Sequence, residues 1–399
     1  MTMTSRPSAG DFSRDRLELD PELGRIRRGA PVARVRLADG TDGWLVTGWA
    51  EARQVLADPA FSRARAVGRP RGALRRETFL TDMDPPEHTR VRRQAVRAFT
   101  HRRVRELRPR VEEITDWLLD RMELDGAPAD LVERLALPLP VTVICELLGV
   151  PPADRFRFQG WSDAFLSVSA YAAADVAAAQ ESLDAYLGEL IARRRAAPAD
   201  DLLSALVHAH DEDGELTSTE LIDLGIGLLI AGYETTAGQI TNLAYTLLTR
   251  RDDWLRLAGR PDLLPGAIEE LLRFVPLGSD TGMPRVATRD IELGGVLICE
   301  GDTVLVARAA ANRDERVFPD GETLVLDRAE NPHLAFGHGI HHCLGAHLAR
   351  LELQVALGAL LARFPTLRVA VPEPELRWKQ GLSVRGLHRL PVTWSEAER

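Results

Sequence analysis

Apolar residues recur at helical spacing over most of residues 86–274, and the pattern is strongest in STELIDLGIGLLIAGYETTAGQITNLAYTLLTR, residues 218–250. That stretch opens on Thr217 and Ser218, has Glu220 in its first turn and stays apolar through its middle. It predicts a helix of about thirty residues that crosses the whole core. Earlier in the chain, PVARVRL and GWLVTG flank the turn ADGTDG, which predicts a β-hairpin. Residues 61–82, rich in Arg and Gly and without clear periodicity, predict a long loop. Beyond the helical region, PRVAT, IELGGVLIC and TVLVA predict short strands and residues 312–332 an irregular stretch. Residues 344–364 predict a last long helix, with strand-like segments closing the chain. No internal repeat or low-complexity linker divides the sequence. The expected architecture is mainly α, a single large helical domain over residues 1–399 with a minor, peripheral β-rich region.

Composition narrows the class. A chain of 399 residues, 45% hydrophobic and 27% charged, reads as a soluble globular protein. The net charge of −9 argues against nucleic acid, which requires a basic footprint. The longest apolar run, LGIGLLIAG, is far short of a membrane span, and the polar N-terminal segment lacks the apolar core of a signal peptide. Three cysteines, Cys145, Cys299 and Cys343, show no paired spacing and fit a reducing compartment. A monomer free in the cytoplasm is expected. Arginine replaces lysine almost throughout; Lys379 is the one lysine, a usage that points to a GC-rich genome rather than to function.

Candidate chemistry concentrates in FGHGIHHCLGAHLAR, residues 336–350, which holds His338, His341, His342, Cys343 and His347. Zinc sites draw on ligands in spaced pairs, whereas one cysteine and the adjacent His341 and His342 do not form such pairs. Gly337, Gly339 and Gly345 keep the loop thin on both sides of Cys343, so that backbone can approach something flat and large. A helix beginning right after Cys343 would aim amide N–H groups at the sulfur and favour a thiolate, as an axial haem ligand requires. A buried free cysteine at a helix start is the other reading.

Three further stretches stand out. In AGYETT, residues 231–236, Gly232 weakens the long helix and the Thr235 hydroxyl can bond back to the Ala231 carbonyl, opening a polar notch. A simple kink with a solvated Glu234 is the alternative. In EELLR, Glu270 and Arg273 share a helical face, which by itself is an ordinary surface ion pair. In DPPEHTRVRRQAVRAF, residues 84–99, His88 and Arg92 fall on one helical face, and Arg90, Arg93 and Arg97 gather on the opposite one. Those outer arginines are either a solvated face or a docking patch, with Arg102, Arg103 and Arg105 nearby.

Phe336, Gly339, Cys343 and Gly345 fit the pattern F-x-x-G-x-x-x-C-x-G, and with these other motifs in order the chain resembles, over essentially its whole length, the cytochrome P450 family in its soluble bacterial form. The resemblance implies the cytochrome P450 fold and haem b (iron protoporphyrin IX), with Cys343 as the metal ligand. It places His88, Arg92, Arg285 and His341 on the haem propionates, with Phe336, Gly345 and Ala231 against the cofactor. It implies Thr235 as a catalytic hydroxyl and Glu234 as the acid of a proton relay. Glu270 and Arg273, completed by Arg328, become a buried structural lock. The substrate pocket is assigned to Phe79, Leu80, Leu228, Leu277, Ser279, Leu382 and Val384, a mostly apolar set suited to a hydrophobic small molecule. Arg90, Arg93 and Arg97 are assigned to docking of an acidic electron donor.

The activity so implied is a monooxygenase that inserts one oxygen atom from dioxygen into a hydrophobic secondary metabolite, by hydroxylation or epoxidation. Nothing reads as a flavin or nicotinamide domain, so a separate ferredoxin and ferredoxin reductase are the expected electron source. Oxidative coupling, dehydration or rearrangement without oxygen insertion is the alternative. A haem-binding sensor is a third reading, opposed by the Glu234–Thr235 pair.

Overall fold

The computed structural model describes residue 8 and residues 16–37, 39–67, 76–96, 99–278 and 281–395. Arg97 and Ser279, both named above, lie outside the described residues.

The long helix is present as Ser218–Leu248, 31 residues. Its start is fixed by a capping box: the Thr217 hydroxyl accepts from the Glu220 N–H, and the Thr217 N–H donates to Glu220 Oε2 at 2.8 Å. Caps of this kind are worth about 1 kcal/mol. Arg90, on the Glu87–Val96 helix, reaches the same carboxylate at 2.5 and 3.0 Å and the Glu215 carbonyl at 2.6 Å. Most of the long helix is buried, packed between the Pro138–Leu148 and Ala346–Arg363 helices. A Cβ at Gly232 would come within 2.7 Å of Ile144 Cδ1, so this glycine sets how closely the helices approach. The opening expected there does not form. The helix runs unbroken past Gly232, and the Thr235 hydroxyl donates to the Ala231 carbonyl at 2.7 Å inside it.

The β region gathers distant segments. Val32–Arg36 and Asp42–Val46 form the expected antiparallel hairpin, with Val32 opposite Val46. Asp42–Val46 then pairs in parallel with Thr303–Val306, which pairs with Arg285–Ala287, and Phe61–Ser62 closes the five-stranded sheet. The last of these lies inside the stretch expected as loop. Two residues carry too short a pattern to be read as a strand, and only pairing with Val286 and Ala287 defines it. IELGGVLIC forms a separate hairpin, Ile291–Leu293 with Val296–Ile298. Ala129–Asp130, Pro391–Thr393 and Arg368–Val369 make a third small sheet, the first of them interrupting the helical region. Among the described residues no helix is long and apolar enough to cross a membrane.

The Ala346–Arg363 helix begins two residues later than expected and packs an acid into the interior. Glu352 is 1% exposed, and its Oε2 has no hydrogen-bond partner. Burial alone pushes its carboxyl well above the ordinary carboxylate range, so the folded protein holds it protonated. The unfolded chain loses that proton above its ordinary value of about 4.5, so this site lowers stability progressively as pH rises. Glu352→Gln removes that penalty. Melting curves of the two proteins are expected to diverge in favour of the variant as pH rises above the ordinary carboxylate value, by about 1.4 kcal/mol per pH unit at most; a gap independent of pH would contradict the assignment.

Candidate active site

The loop around Cys343 is held from within and from below. The Cys343 N–H donates to the Phe336 carbonyl at 2.8 Å, His342 N–H to Gly339 at 3.0 Å, and Gly337 N–H to Leu334 at 2.9 Å. Gly339 has φ +71°, and a Cβ there would lie 2.5 Å from the Leu56 carbonyl oxygen and 2.8 Å from Ala57 Cα. Only glycine lets the loop lie flush on the end of the Trp49–Ala57 helix. Gly345 differs: its φ is −85°, and a Cβ there would meet nothing within 4 Å. Phe336 lies under the Arg350 guanidinium, 4.5 Å from the ring, and Arg350 is held by Glu269 at 2.8 Å.

Cys343 is solvent-accessible yet densely surrounded, as befits a group at the bottom of a recess. Burial pushes its thiol up; the Gly345 N–H and the cations of Arg308, Arg92 and Arg350 oppose this without reversing it. The helix begins at Ala346, one residue past the Gly345 N–H that supports the sulfur.

Beside this loop lies a crowd of nitrogen bases. The rings of His88 and His341 are 4.4 Å apart, and the Nε2 of each is buried without a hydrogen-bond partner. Arg92 donates to the His342 carbonyl at 2.6 Å, Arg285 to Phe61 at 3.1 Å and Arg308 to Ala335 at 3.2 Å. All three of these acceptors are neutral carbonyls. Burial, then repulsion from Arg92, brings His88 down to about 4, with Arg285 adding to the effect and Asp84 opposing it. His341 falls to about 2 through burial and the charges of His88, Arg285, Arg63 and Arg92. Burial likewise lowers Arg285 to about 10, with Asp84 opposing and Arg308 adding. Such a cluster suits an anion with several acceptor oxygens. A group carrying two carboxylates fits it, and the open face at Gly345 leaves room beside the sulfur for a flat body.

Arg308 was missed in the sequence, although an arginine two residues past the buried strand Thr303–Val306 is a usable signal. The four histidines separate. Among the described residues no three His, Cys, Asp or Glu side chains converge as a metal site. His341 turns to His88, and His342 is exposed.

In the long helix, Ala231 is exposed and Thr235, one turn on, partly so, amid buried neighbours. Glu234 is buried rather than solvated, 2% exposed, and its Oε2 lies 3.3 Å from Lys379 Nζ. Phe79 is buried edge-on against Phe165, with centroids 5.4 Å apart, and Leu80 is half-buried beside it. Leu277 and Val384 meet over Gly238, where a Cβ would lie 3.1 and 3.2 Å from their methyl carbons. Leu382 bridges to Ser167, and Leu228 is buried in the main core. Of the outer arginines, Arg93 is exposed, but Arg90 is not free for docking because Glu220 and Glu215 engage it. Arg102 and Arg103 pair with Glu106 and Asp200.

Glu270 and Arg273 are fully buried and joined by two bonds of 2.7 Å. Glu270 also accepts from Arg328 at 3.0 Å, Asn331 at 3.1 Å and the Val325 N–H at 2.8 Å. This is a buried network, not the surface pair that the spacing alone allows.

Comparison with known proteins agrees with this geometry. The family model described as Cytochrome P450 matches residues 260–386. The chain is 51% identical over 389 residues to nocardicin C N-oxygenase of Nocardia uniformis subsp. tsuyamanensis, covering 95% of this chain and 96% of that protein. It is 50% identical over 381 residues to mycinamicin IV hydroxylase/epoxidase of Micromonospora griseorubida, again covering 95% and 96%. Among solved structures it is similar to HinD, solved with NMFT and NO, at a TM-score of 0.93 and 46% identity, covering 98% of this chain and 100% of that one.

Arg273→Ala leaves the buried Glu270 carboxylate with Arg328 as its one remaining ion-pair partner among the described residues and frees the carbonyls of Asn312, Gly321 and Thr323. Urea unfolding is expected to show a loss of roughly 3–5 kcal/mol; a loss below about 1 kcal/mol, the size of an exposed pair, would refute the role.

Proposed function

The chain belongs to the cytochrome P450 family and is a monooxygenase with that family's haem-thiolate iron, and from this premise we propose that it holds haem b with Cys343 as the iron ligand and oxidises a hydrophobic secondary metabolite. The observation that carries the reading is the cluster of His88, His341, Arg92, Arg285 and Arg308 beside the Cys343 loop. Its two unpartnered imidazole nitrogens and three arginine cations, none of them paired with a carboxylate among the described residues, match the two propionates of haem b. Phe336 and Gly345 would bound the sulfur side, and Ala231, a small and exposed position on the long helix, would lie against the cofactor. When bound there, the haem iron with its thiolate supplies activation of dioxygen and insertion of one oxygen atom into a C–H or double bond.

The protein's own residues do the rest. Thr235 Oγ1, tethered to the Ala231 carbonyl, holds a proton at a fixed place on the helix. Glu234, the adjacent acid, resupplies it; burial pushes its carboxyl up, so it keeps a proton more readily than an exposed glutamate. Phe79, Leu80, Leu277, Leu382 and Val384 offer apolar surface that binds a hydrophobic molecule and excludes water. The proposed class of substrate follows from that lining and from the relatives named for nocardicin C and mycinamicin IV. The whole chain acts as one catalytic domain. A separate ferredoxin, served by its reductase, brings the electrons to the face carrying Arg93.

Turnover of a substrate found by spectral screening, under labelled dioxygen, tests the reaction: one labelled atom is expected in the product, and an altered but unlabelled product would overturn oxygen insertion in favour of coupling or rearrangement. Cys343→Ala is expected to abolish the red-shifted Soret band of the reduced CO complex; a variant that keeps the band would sink the ligand assignment. Thr235→Ala is expected to retain haem and divert most electrons to hydrogen peroxide, a change of tenfold or more in coupling on the scale of a positioned proton donor. Unchanged coupling would remove Thr235 from the proton path.

A further inference from the structure

The one lysine of the chain lies against the middle of the long helix. Lys379 belongs to the terminal hairpin, in which Trp378 bridges to Leu387 and the Lys379 N–H donates to the Gly386 carbonyl at 2.8 Å. Trp378 and Gln380, on either side, line an open surface groove of about 660 Å³ together with Arg16, Leu376, Arg377 and His388. Lys379 points the other way, as alternation along extended chain requires, and places Nζ 3.3 Å from Glu234 Oε2. The side chains are 16% and 3% exposed, so this is a largely buried pair.

A second carboxyl shares the place. Val168, Ser169 and Ala170 donate their N–H groups to the Gly381 carbonyl at 2.7, 3.0 and 3.2 Å, which ties the hairpin to the end of the Phe158–Phe165 helix. That helix carries Asp163, whose Oδ1 is buried without a hydrogen-bond partner. The Lys379 ammonium favours ionisation of both Asp163 and Glu234, while the Asp163 charge opposes ionisation of Glu234 and burial opposes it in each. The other groups facing the cluster are the phenols of Tyr233 and Tyr171 and the Ser162 hydroxyl, with Arg377 and His388 beyond Lys379.

Charge arithmetic then decides the state. Two ionised carboxyls against one ammonium leave a net negative charge where water is scarce, whereas one proton on the pair makes the cluster neutral. Lysine suits the task better than the arginine used everywhere else. Its compact ammonium has three donors, one of them aimed at Glu234, and acts on Asp163 through its charge, while a guanidinium favours one carboxylate held by two parallel bonds.

We propose that Glu234, Asp163 and Lys379 form one titrating unit that stores a single proton on its carboxyl pair next to Thr235, with Lys379 and Asp163 as positioning residues that set how firmly it is held. The proposal rests on the reading of Glu234 as the acid that supplies Thr235. In each use the proton leaves Glu234 for Thr235 Oγ1 as Thr235 gives up its own. The unit is left with one negative charge and regains a proton from solvent.

Because the chain has a single lysine, protein grown on ¹³Cε-lysine gives one Cε resonance that belongs to Lys379 without further assignment. It is recorded in the haem-loaded, reduced CO form, which is diamagnetic and needs neither substrate nor electron donor. Its shift is expected to follow the carboxyl pair, with an inflection above the ordinary carboxylate range near 4. Glu234→Gln is expected to abolish the inflection, and Asp163→Asn to move it down by about one pH unit or more. Should either variant fail to fold, infrared spectra of the parent protein provide the second readout: a protonated-carboxyl C=O band bleaching over the same range. A parent protein without that inflection and band, or an Asp163→Asn protein that titrates as the parent does, would overturn the proposal. The readout is independent of turnover, so failure here is distinguishable from failure of Thr235→Ala to uncouple the reaction.

Discussion

The carboxylate of Glu270 is the point from which the Cys343 side of the molecule hangs. Residues 312–332 contain neither helix nor sheet to satisfy their backbone, yet they dip repeatedly into the interior, at residues 312–314, Phe318, Gly321, Leu324 and Leu326, and lead into the Cys343 loop. Arg273, anchored by Glu270, donates to the carbonyls of Asn312, Gly321 and Thr323, and Glu270 takes the N–H of Val325. A buried ion pair thus does for an irregular segment what a ladder of hydrogen bonds does for a strand. The Asn312 side chain passes the constraint on by accepting the Leu334 N–H at 2.7 Å, two residues before Phe336. The desolvation cost of the pair is met because its donors and acceptors are engaged on several sides.

The bases around His88 and His341 show the opposite economy. Their mutual repulsion and burial lower the affinity for protons of His88, His341 and Arg285 together. An arrangement that disfavours positive charge in itself becomes favourable once carboxylates share it. Binding there contributes to the stability of the folded state as well as to chemistry, since anything that binds only the folded form shifts the equilibrium towards it.

Much of this was legible in the sequence, and the part that was not has physical causes. The long helix announced itself through periodicity and through Thr217 with Glu220, and the early hairpin through its turn. The order of the family motifs brought Cys343, Glu270 with Arg273, and His88 with Arg92 to attention. Strands of two residues, such as Phe61–Ser62 and Ala129–Asp130, escaped because partners more than two hundred residues away define them. Gly232 was taken for a weak point because a sequence does not show Ile144 pressed against it. Arg90 looked free on a helical wheel, and only the fold brings Glu220 to it. Lys379 looked like a remnant of codon usage, and only its contact with Glu234 gives it work.

Gly339 and Gly238 both mark close approaches, but of different kinds. At Gly339 the neighbour is backbone, the Leu56 carbonyl and Ala57 Cα, and no side-chain exchange elsewhere makes room for a larger residue. At Gly238 the neighbours are the side chains of Leu277 and Val384, which can be traded for others of different size. The loop that presents Cys343 is therefore closed to variation where the elements beside the long helix are open to it. A lineage built on this fold is free to diverge in what it accepts while inheriting its ligand loop unchanged.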